Sequence, residues 1–181
     1  MIVSDAAHNA IRRLQLDAAR ACGANPALRQ TPHVTLKQPF HARALEPVED
    51  YFEELVQTVE PLEIHLRGLD TFPEDRVIFL GVEPEPRLEA LRQATLRDLA
   101  ERFRVRPRDV EDDRYRFHAT ISYNLSEGQH RAAWEALRDR SPDLRFTLHT
   151  LGLFYYTGDL WILYRRSRIP WRDVRNRREG A

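Results

Sequence analysis

The spacing of apolar residues along the chain predicts four amphipathic helices. Over residues 5–22, Ile11, Leu14 and Ala18 recur at the period of one helix face, and Gly23 then ends the pattern. The same period returns in three further segments, at residues 47–59, 86–103 and 127–140. Helices of this kind bury one face, so we expect a core that is covered by helices.

Alternation of apolar and polar residues predicts six β-strands between and after these helices. They are expected at residues 31–40, 62–72, 76–82, 114–123, 144–156 and 159–166. A turn that contains Pro73 separates the second strand from the third, which predicts an antiparallel pair. Helices and antiparallel strands together predict the α+β fold class.

The predicted elements follow the order helix, strand, helix, strand, strand twice. Five apolar positions of the first half match five of the second at a constant offset of 82 residues: Leu62, Ile64, Leu66, Leu69 and Phe72 correspond to Leu144, Phe146, Leu148, Leu151 and Phe154. This correspondence predicts a tandem duplication, with units at about residues 5–82 and 86–166 and a basic tail at 167–181. The length of 181 residues favours a single domain.

Each predicted unit carries a His-x-Thr motif on a strand. The two motifs are His33-x-Thr35 and His118-x-Thr120. Because side chains alternate along a strand, the histidine and threonine of each motif share a face, which is expected to include Lys37 and Ser122 as well. If a pseudo-twofold relates the units, the two polar faces meet across a cleft. The alternative is a pair of histidines that are merely hydrogen-bonded on a half-buried sheet.

Two imidazoles facing each other suit phosphodiester chemistry. One neutral imidazole can remove a proton from water or a hydroxyl, while a second, protonated one gives a proton to the leaving oxygen. Threonine hydroxyls can donate to the phosphate, and Lys37 can offset its charge. We interpret His118 as the base and His33 as the acid, and the reverse assignment stays open.

These paired motifs on a duplicated unit resemble the 2H phosphoesterase superfamily, in particular its bacterial 2'-5' RNA ligase and cyclic nucleotide phosphodiesterase branch. The likeness extends from the first helix to about Tyr164. The resemblance implies a two-lobed fold in which two antiparallel sheets flank a central groove, with helices outside. It also implies catalytic roles for the two motif histidines and the two motif threonines, and metal-independent action on 2',3'-cyclic or 2'-5' phosphodiesters.

The sequence departs from this family at two places. A strand usually precedes the first helix, but only four residues, Met-Ile-Val-Ser, are available here, so that strand is expected to be short or missing. The RNA ligase branch often has a basic residue shortly after its second motif, where this chain has Ser122 and Tyr123. The identity of the substrate therefore stays open.

Composition limits the partners that the protein can have. The 28 basic and 28 acidic residues leave no net charge, so nothing global favours nucleic acid or a membrane. Cys22 is the only cysteine, which excludes an intramolecular disulfide and a cysteine-rich zinc site. No two histidines have the spacing of a helical metal pair. We expect a cytoplasmic monomer that uses no cofactor, does not bind membranes, and acts on a small nucleotide with a cyclic phosphate or on an RNA end.

Other residues are weaker candidates for substrate contacts. Arg116 and Tyr123 lie beside the second motif and are predicted to bind substrate, together with Lys37 and Ser122. Further candidates are His65 and His149 on the polar faces of their strands, Arg114 in the connector 102–117, the basic tail, and the aromatic residues Tyr155, Tyr156 and Trp161. The alternatives are an exposed sheet surface for the two histidines and a solvated loop for Arg114. For the basic tail the alternative is a disordered terminus, and for the aromatic residues it is core packing.

The function that the sequence favours is hydrolysis of a 2',3'-cyclic phosphate to a 2'-phosphate in RNA processing. Two alternatives stay open. One is a 2'-5' RNA ligase, which differs in needing an RNA end with a 5'-hydroxyl. The other is a nucleotide- or RNA-binding module without catalysis, which would not need both histidines.

Overall fold

A computed structural model of the protein describes residues 1–111 and 115–171. The four predicted helices are confirmed as α1 (Asp5–Cys22), α2 (Glu46–Thr58), α3 (Pro86–Phe103) and α4 (Glu127–Leu137). Two short 3-10 helices, Pro26–Arg29 and Asp109–Glu111, lie in the connections. None of the helices in the described part of the chain combines the length and the apolar character that crossing a membrane requires.

Local sequence signals set the ends of these helices. The Ser4 hydroxyl accepts a hydrogen bond from Ala7 N at the start of α1, and Gly23 ends α1 with φ 80°, a conformation that glycine adopts at little cost. At α4, the side chains of Ser126 and Gln129 each bond the other's backbone N–H, which forms a capping box. α4 stops three residues before the predicted end, at Leu137.

Within the described residues, six strands form two antiparallel sheets, which confirms the α+β fold class. The strands are β1 (Leu62–Phe72), β2 (Val77–Val82), β3 (His118–Ser122), β4 (Asp143–Leu148), β5 (Thr150–Tyr156) and β6 (Trp161–Arg168). Their order is β3-β2-β1-β4 in one sheet and β5-β6 in the other. The single strand predicted at residues 144–156 is wrong, because the chain changes sheet at His149 and forms β4 and β5 instead.

The strand predicted at residues 31–40 is also wrong. Only His33 and Val34 form β-bridges there, and the chain bends at Leu36 and Lys37. His33 pairs with Ile2, whose N–H donates to the carbonyl of Thr150 at 3.0 Å. The N-terminal strand was expected to be short or missing. It is reduced to one residue, Ile2, which bridges the first motif and β5.

Strand register supports the proposed duplication. In the β1–β4 ladder, Ile64 pairs with Phe146, which is its equivalent at the offset of 82 residues. A β-bridge between the two motifs pairs Val34 with Ala119, the middle residue of each. Equivalent residues pair with each other where a twofold axis passes between them. Both places are therefore consistent with a pseudo-twofold axis that relates the halves.

All four helices and both sheets contribute to one apolar core. Its fully buried members include Ile11 and Ala18 of α1, Val56 of α2, Leu88 of α3, Leu137 of α4, and Ile64, Leu80, Ile121 and Leu148 of the strands. One core therefore spans both predicted units, and each motif contributes its middle residue, Val34 or Ala119, to that core.

Candidate active site

The two His-x-Thr motifs run antiparallel where their middle residues, Val34 and Ala119, form a bridge. In an antiparallel pair, the residues that flank a bridged pair also lie opposite each other. The histidine of each motif therefore comes opposite the threonine of the other. Val34 and Ala119 are buried, so alternation places all four motif side chains on the opposite face. The structure thus brings together the four residues that the sequence predicts to be catalytic.

Both histidine rings are held in the same way. Nδ1 of His33 lies 2.8 Å from the carbonyl of Thr31, and Nδ1 of His118 lies 2.7 Å from the carbonyl of Arg116. A carbonyl only accepts hydrogen bonds, so each Nδ1 carries the proton and donates it. In the neutral ring, Nε2 then holds the lone pair and is the atom that can take up a second proton. This matched tautomer suits two groups that exchange protons with a ligand.

Phenylalanine side chains pack against both rings. The Phe154 ring lies 4.4 Å from the His33 ring, while the Phe72 and Phe79 rings lie 5.4 and 5.0 Å from the His118 ring, measured between centroids. Phe72 and Phe154 are equivalent at the offset of 82 residues, so each packs on the histidine of the other half. The alignment of the repeats contained both phenylalanines, but it did not indicate that each ring packs on the histidine of the other half.

Burial determines the proton affinity of both imidazoles. It lowers the pKa of His33 to about 4, although the hydrogen bond to Thr31 acts in the opposite direction, and repulsion from the N-terminal ammonium of Met1 and from His118 lowers it further. Burial also lowers the pKa of His118. Both rings are therefore neutral at pH 7 without a ligand. An anion placed between them would favour their protonated forms.

Helix α1 and the loop after it support both motifs. The Arg12 guanidinium donates to three backbone carbonyls of the segment that leads to His33, those of Ala27, Leu28 and Gln30, at 3.3, 2.9 and 2.6 Å. The side chain of Gln15 donates to the carbonyl of Thr120 at 3.1 Å, and Asn25 donates to that of Ile121 at 2.9 Å. Sequence reasoning missed these residues, because polar positions on a helix normally face solvent.

Lys37 does not lie where strand alternation predicted. The bend at Leu36 and Lys37 breaks the alternation, and the Lys37 ammonium lies 2.6 Å from Oε2 of Glu111. The Lys37 side chain is only 8% exposed. Its charge is thus already compensated inside the protein, away from the position expected for a substrate phosphate.

Ser122 also leaves the predicted face. A bulge at Ile121 shifts the pairing of β3 with β2, so that Thr120 pairs with Phe79 but Ser122 pairs with the buried Ile78. Ser122 is fully buried, and its Oγ has no hydrogen-bond partner within the described residues. It turns into the core and cannot contact a ligand on the His/Thr face.

Arg116 lies next to the second motif, as predicted. Its guanidinium carbon is 5.1 Å from the Phe79 ring centroid, and its Nη2 is 2.8 Å from Oδ2 of Asp70. Because the Phe79 ring also contacts His118, Arg116 borders the His118 side of the site. Its side chain is 54% exposed, so an anion could reach it.

Aromatic side chains extend the site beyond His33. Tyr156 shares the face of Phe154 by strand alternation and pairs in register with Trp161, with the two ring centroids 4.9 Å apart. Tyr156 is half exposed. Tyr123 accepts a hydrogen bond from the side chain of Gln30 at 2.7 Å, and burial raises the pKa of its hydroxyl.

The remaining candidates lie elsewhere or beyond the described residues. His65 pairs with Asp143 at 2.8 Å between β1 and β4, and Tyr155 contacts Tyr164. The backbone carbonyl of His149 accepts a hydrogen bond from Ile169 N. Arg114 and residues 172–181 of the predicted tail lie outside the described residues, whereas the start of that tail lies in β6 and the core.

Metal ligands do not cluster in the described part of the chain. Among residues 1–111 and 115–171, no three His, Cys, Asp or Glu side chains come together in a group that could hold an ion. Among the described residues, the charged and polar groups near the motifs include imidazoles, hydroxyls, and the Arg116 guanidinium with the Asp70 carboxylate that pairs with it.

Comparison with known proteins identifies the family of the chain. The family profile described as the 2'-5' RNA ligase superfamily matches residues 3–160, which include both motifs and every strand before β6. No curated protein matches the sequence. Because the profile covers most of the chain, the chain belongs to the 2'-5' RNA ligase superfamily, the 2H phosphoesterases, whose members are generally phosphoesterases or ligases.

Proposed function

We propose that the protein is a metal-independent phosphoesterase that opens 2',3'-cyclic phosphates, on a nucleotide or an RNA end, to give 2'-phosphates. The observation that carries this proposal is the matched pair of imidazoles. Both donate Nδ1–H to a backbone carbonyl two residues earlier in the chain. Both also lie on the face opposite the buried, bridged residues Val34 and Ala119. Two equivalent proton-exchanging groups on one face are what a two-step proton transfer needs.

The reaction requires one proton to be removed and one to be delivered. One imidazole takes a proton from water through Nε2, and the resulting hydroxide attacks phosphorus. The bond from phosphorus to O3' breaks, and the other imidazole, protonated, gives its Nε2 proton to that oxygen. In this proposal the hydroxyls of Thr35 and Thr120 donate to the non-bridging oxygens, where negative charge accumulates.

The direction of proton transfer can be assigned by experiment. From the sequence alone we interpret His118 as the base and leave the reverse assignment open, whereas deep burial of His33 favours its neutral, proton-accepting form. An aryl phosphodiester has a leaving group that needs no protonation. Replacement of the acid should therefore matter little for that substrate, while replacement of the base should matter for both substrates.

The overall function is tested with purified protein, a panel of 2',3'-cyclic nucleotides and RNA with a cyclic-phosphate end. We expect turnover that yields the 2'-phosphate and survives exhaustive chelation with EDTA. A 3'-phosphate product, or activity that EDTA abolishes and one divalent ion restores, would contradict the proposed reaction.

The superfamily match favours one second candidate, the 2'-5' RNA ligase reaction. The same imidazoles would then deprotonate a 5'-hydroxyl, whose oxygen attacks the cyclic phosphate in place of water. Incubation of cyclic-phosphate-ended RNA with 5'-hydroxyl RNA distinguishes the two, because ligation yields a longer strand. Binding of both RNAs without any product would indicate a binding module instead.

A further inference from the structure

A buried carboxylate joins the segment after the first motif to the connector before the second. The Glu111 side chain is 1% exposed and accepts three hydrogen bonds. The donors are Nζ of Lys37 at 2.6 Å, the backbone N–H of Gln38 at 2.7 Å and the backbone N–H of Arg108 at 2.9 Å. The charges of Lys37 and Glu111 therefore compensate each other inside the protein. Lys37 belongs to the segment after the first motif and Glu111 to the connector before the second, so the pair joins these two parts of the chain.

A second set of bonds ties the same two segments together. Arg92 of α3 is almost fully buried and donates to the carbonyl of Glu111 at 3.0 Å and to both carboxylate oxygens of Glu89. Its guanidinium carbon lies 4.7 Å from the Tyr115 ring centroid. The Tyr115 hydroxyl in turn donates to the carbonyl of Thr35 at 2.9 Å. The connector is thus attached to the first motif through Glu111 and through Tyr115.

These contacts meet a structural need of the site. The segment of the first motif is joined to β3 by one isolated bridge rather than by a ladder, and its remaining backbone pairing is with the N-terminal residues Met1 and Ile2. Tyr115 lies three residues before His118 and bonds directly to the backbone of Thr35. The cluster therefore links the two motifs by a route that does not pass through the β-bridge.

We propose that Lys37, Arg92, Glu111 and Tyr115 form an inter-motif clamp that holds the two His-x-Thr motifs at the separation required for proton transfer, with Glu111 as its central positioning residue. This inference rests on the proposed phosphoesterase function. Reaction rates depend steeply on such geometry, since a displacement of about 1 Å can cost about 10²-fold. In this role Lys37 acts through Glu111 and does not bind the substrate phosphate.

The role of Lys37 separates this inference from direct phosphate binding. To reach a ligand, the ammonium would have to leave Glu111, whose carboxylate would then stay buried without its counter-charge, and this is strongly unfavourable. Positioning predicts that Lys37 and Glu111 act as a unit. Phosphate binding predicts that Lys37 acts alone, with an effect on KM.

The test compares Lys37→Met, Glu111→Gln and the double variant in the full-length protein. We expect each single change to lower kcat for a 2',3'-cyclic nucleotide at least about tenfold with KM within about threefold, and the double variant to be no worse than either. The matched control is Glu54→Gln, which removes the carboxylate of the exposed Arg102–Glu54 pair and should leave kcat unchanged. A raised KM for Lys37→Met together with normal kinetics for Glu111→Gln would overturn the clamp.

Two further measurements keep the inference testable if a charge variant fails to fold or the protein turns over no cyclic phosphate. Tyr115→Phe removes the hydroxyl that bonds the Thr35 carbonyl and the Gln38 side chain, both in the segment of the first motif, and keeps the ring beneath Arg92. It should lower kcat several-fold without changing KM. NMR of the imidazoles needs no turnover. Glu111→Gln or Tyr115→Phe should change the His33 and His118 signals, while Glu54→Gln should not; unchanged signals in both clamp variants would overturn the inference. Absence of turnover by the unmodified protein, with the expected NMR changes, would instead refute only the phosphoesterase function.

Discussion

The two His-x-Thr motifs present the same chemistry on different scaffolds. His118 begins β3, where it pairs with Gly81 and where Ala119 and Thr120 continue the ladder with β2. His33 has one bridge to Ile2, and the chain bends three residues after it. A strand ladder therefore positions the second motif, while isolated bridges, the N-terminal residues and side chains from α1 and the connector position the first.

This difference shows where the site depends on long-range contacts. Arg12, Glu111 and Tyr115 all bond the backbone on either side of the first motif, from α1 and from the connector. The second motif needs fewer such contacts, because β2 already fixes its register. We expect substitutions that leave both histidines in place to affect the first motif more than the second.

The largest expected effect comes from the histidines themselves. Replacing His33 or His118 by Ala should lower kcat/KM by about 10²-fold or more, because each removes a proton-transfer group. Steady-state kinetics on a 2',3'-cyclic nucleotide, with circular dichroism as the control for folding, measures this. A folded variant that keeps its activity within a few-fold would remove that histidine from the mechanism.

Stability should depend on pH through His33. Its pKa of about 4 lies below the ordinary value of 6.5, so the folded protein binds fewer protons than the unfolded chain between these values. Its contribution is fully present above pH 6.5 and is lost as the pH falls toward 4, with a total of about 3 kcal/mol.

Urea unfolding of the unmodified protein and of His33→Gln at several pH values between 4 and 7 measures that contribution. As the pH is lowered from 7 to 4, the unfolding free energy of the unmodified protein should fall relative to that of His33→Gln. A difference that is constant over this range would mean that His33 titrates normally.

The supports of the two motifs provide a direct comparison. Arg12→Met removes charged donors from three carbonyls before His33 and should cost about 1.5–3 kcal/mol of stability for the charged hydrogen bonds, with a clear loss of kcat. Gln15→Met removes one neutral donor from Thr120, whose strand stays paired with β2, and also the amide oxygen that accepts from Arg12. Because Arg12 keeps its bonds to the three carbonyls, we expect a cost of about 1–3 kcal/mol with kcat nearly unchanged. Equal loss of kcat in both variants would contradict the distinction between the scaffolds.

The smallest expected effect is uptake of less than one proton when inorganic phosphate binds near pH 7. Both imidazoles start neutral, and the anion favours protonation of one of them. Calorimetry in two buffers of different ionisation enthalpy measures the uptake. His33→Gln and His118→Gln then identify which ring takes the proton, and uptake that persists in both variants would assign it to another group.

Elements with a strong periodic pattern could be predicted from the sequence. Helices α1 and α3 and the β1–β2 pair match the predictions closely, because each buries one continuous face. The strand at residues 31–40 could not be excluded in advance, since alternation alone does not show whether a partner strand exists. A bend then moved Lys37, and a bulge moved Ser122, to places that strict alternation cannot predict.

The motif histidines and threonines were predictable, but their supports were not. His-x-Thr is visible as a local pattern, and its recurrence at matched positions made it stand out. The contact between Lys37 and Glu111 joins residues 74 positions apart, and Phe154 packs on a histidine 121 positions earlier. Such contacts depend on how the halves interleave, which no local signal records.

The pairing of β1 with β4 has a consequence for synthesis of the chain. β1 leaves the ribosome roughly 80 residues before its partner β4. β2 also leaves the ribosome before its partner β3, by a shorter interval. Until those partners are made, the nascent first half exposes unpaired strand edges and an incomplete apolar layer, which are features that chaperones bind. Completion of the fold must wait until the last third of the chain emerges, so a ribosome stalled before β4 would hold a polypeptide prone to aggregation.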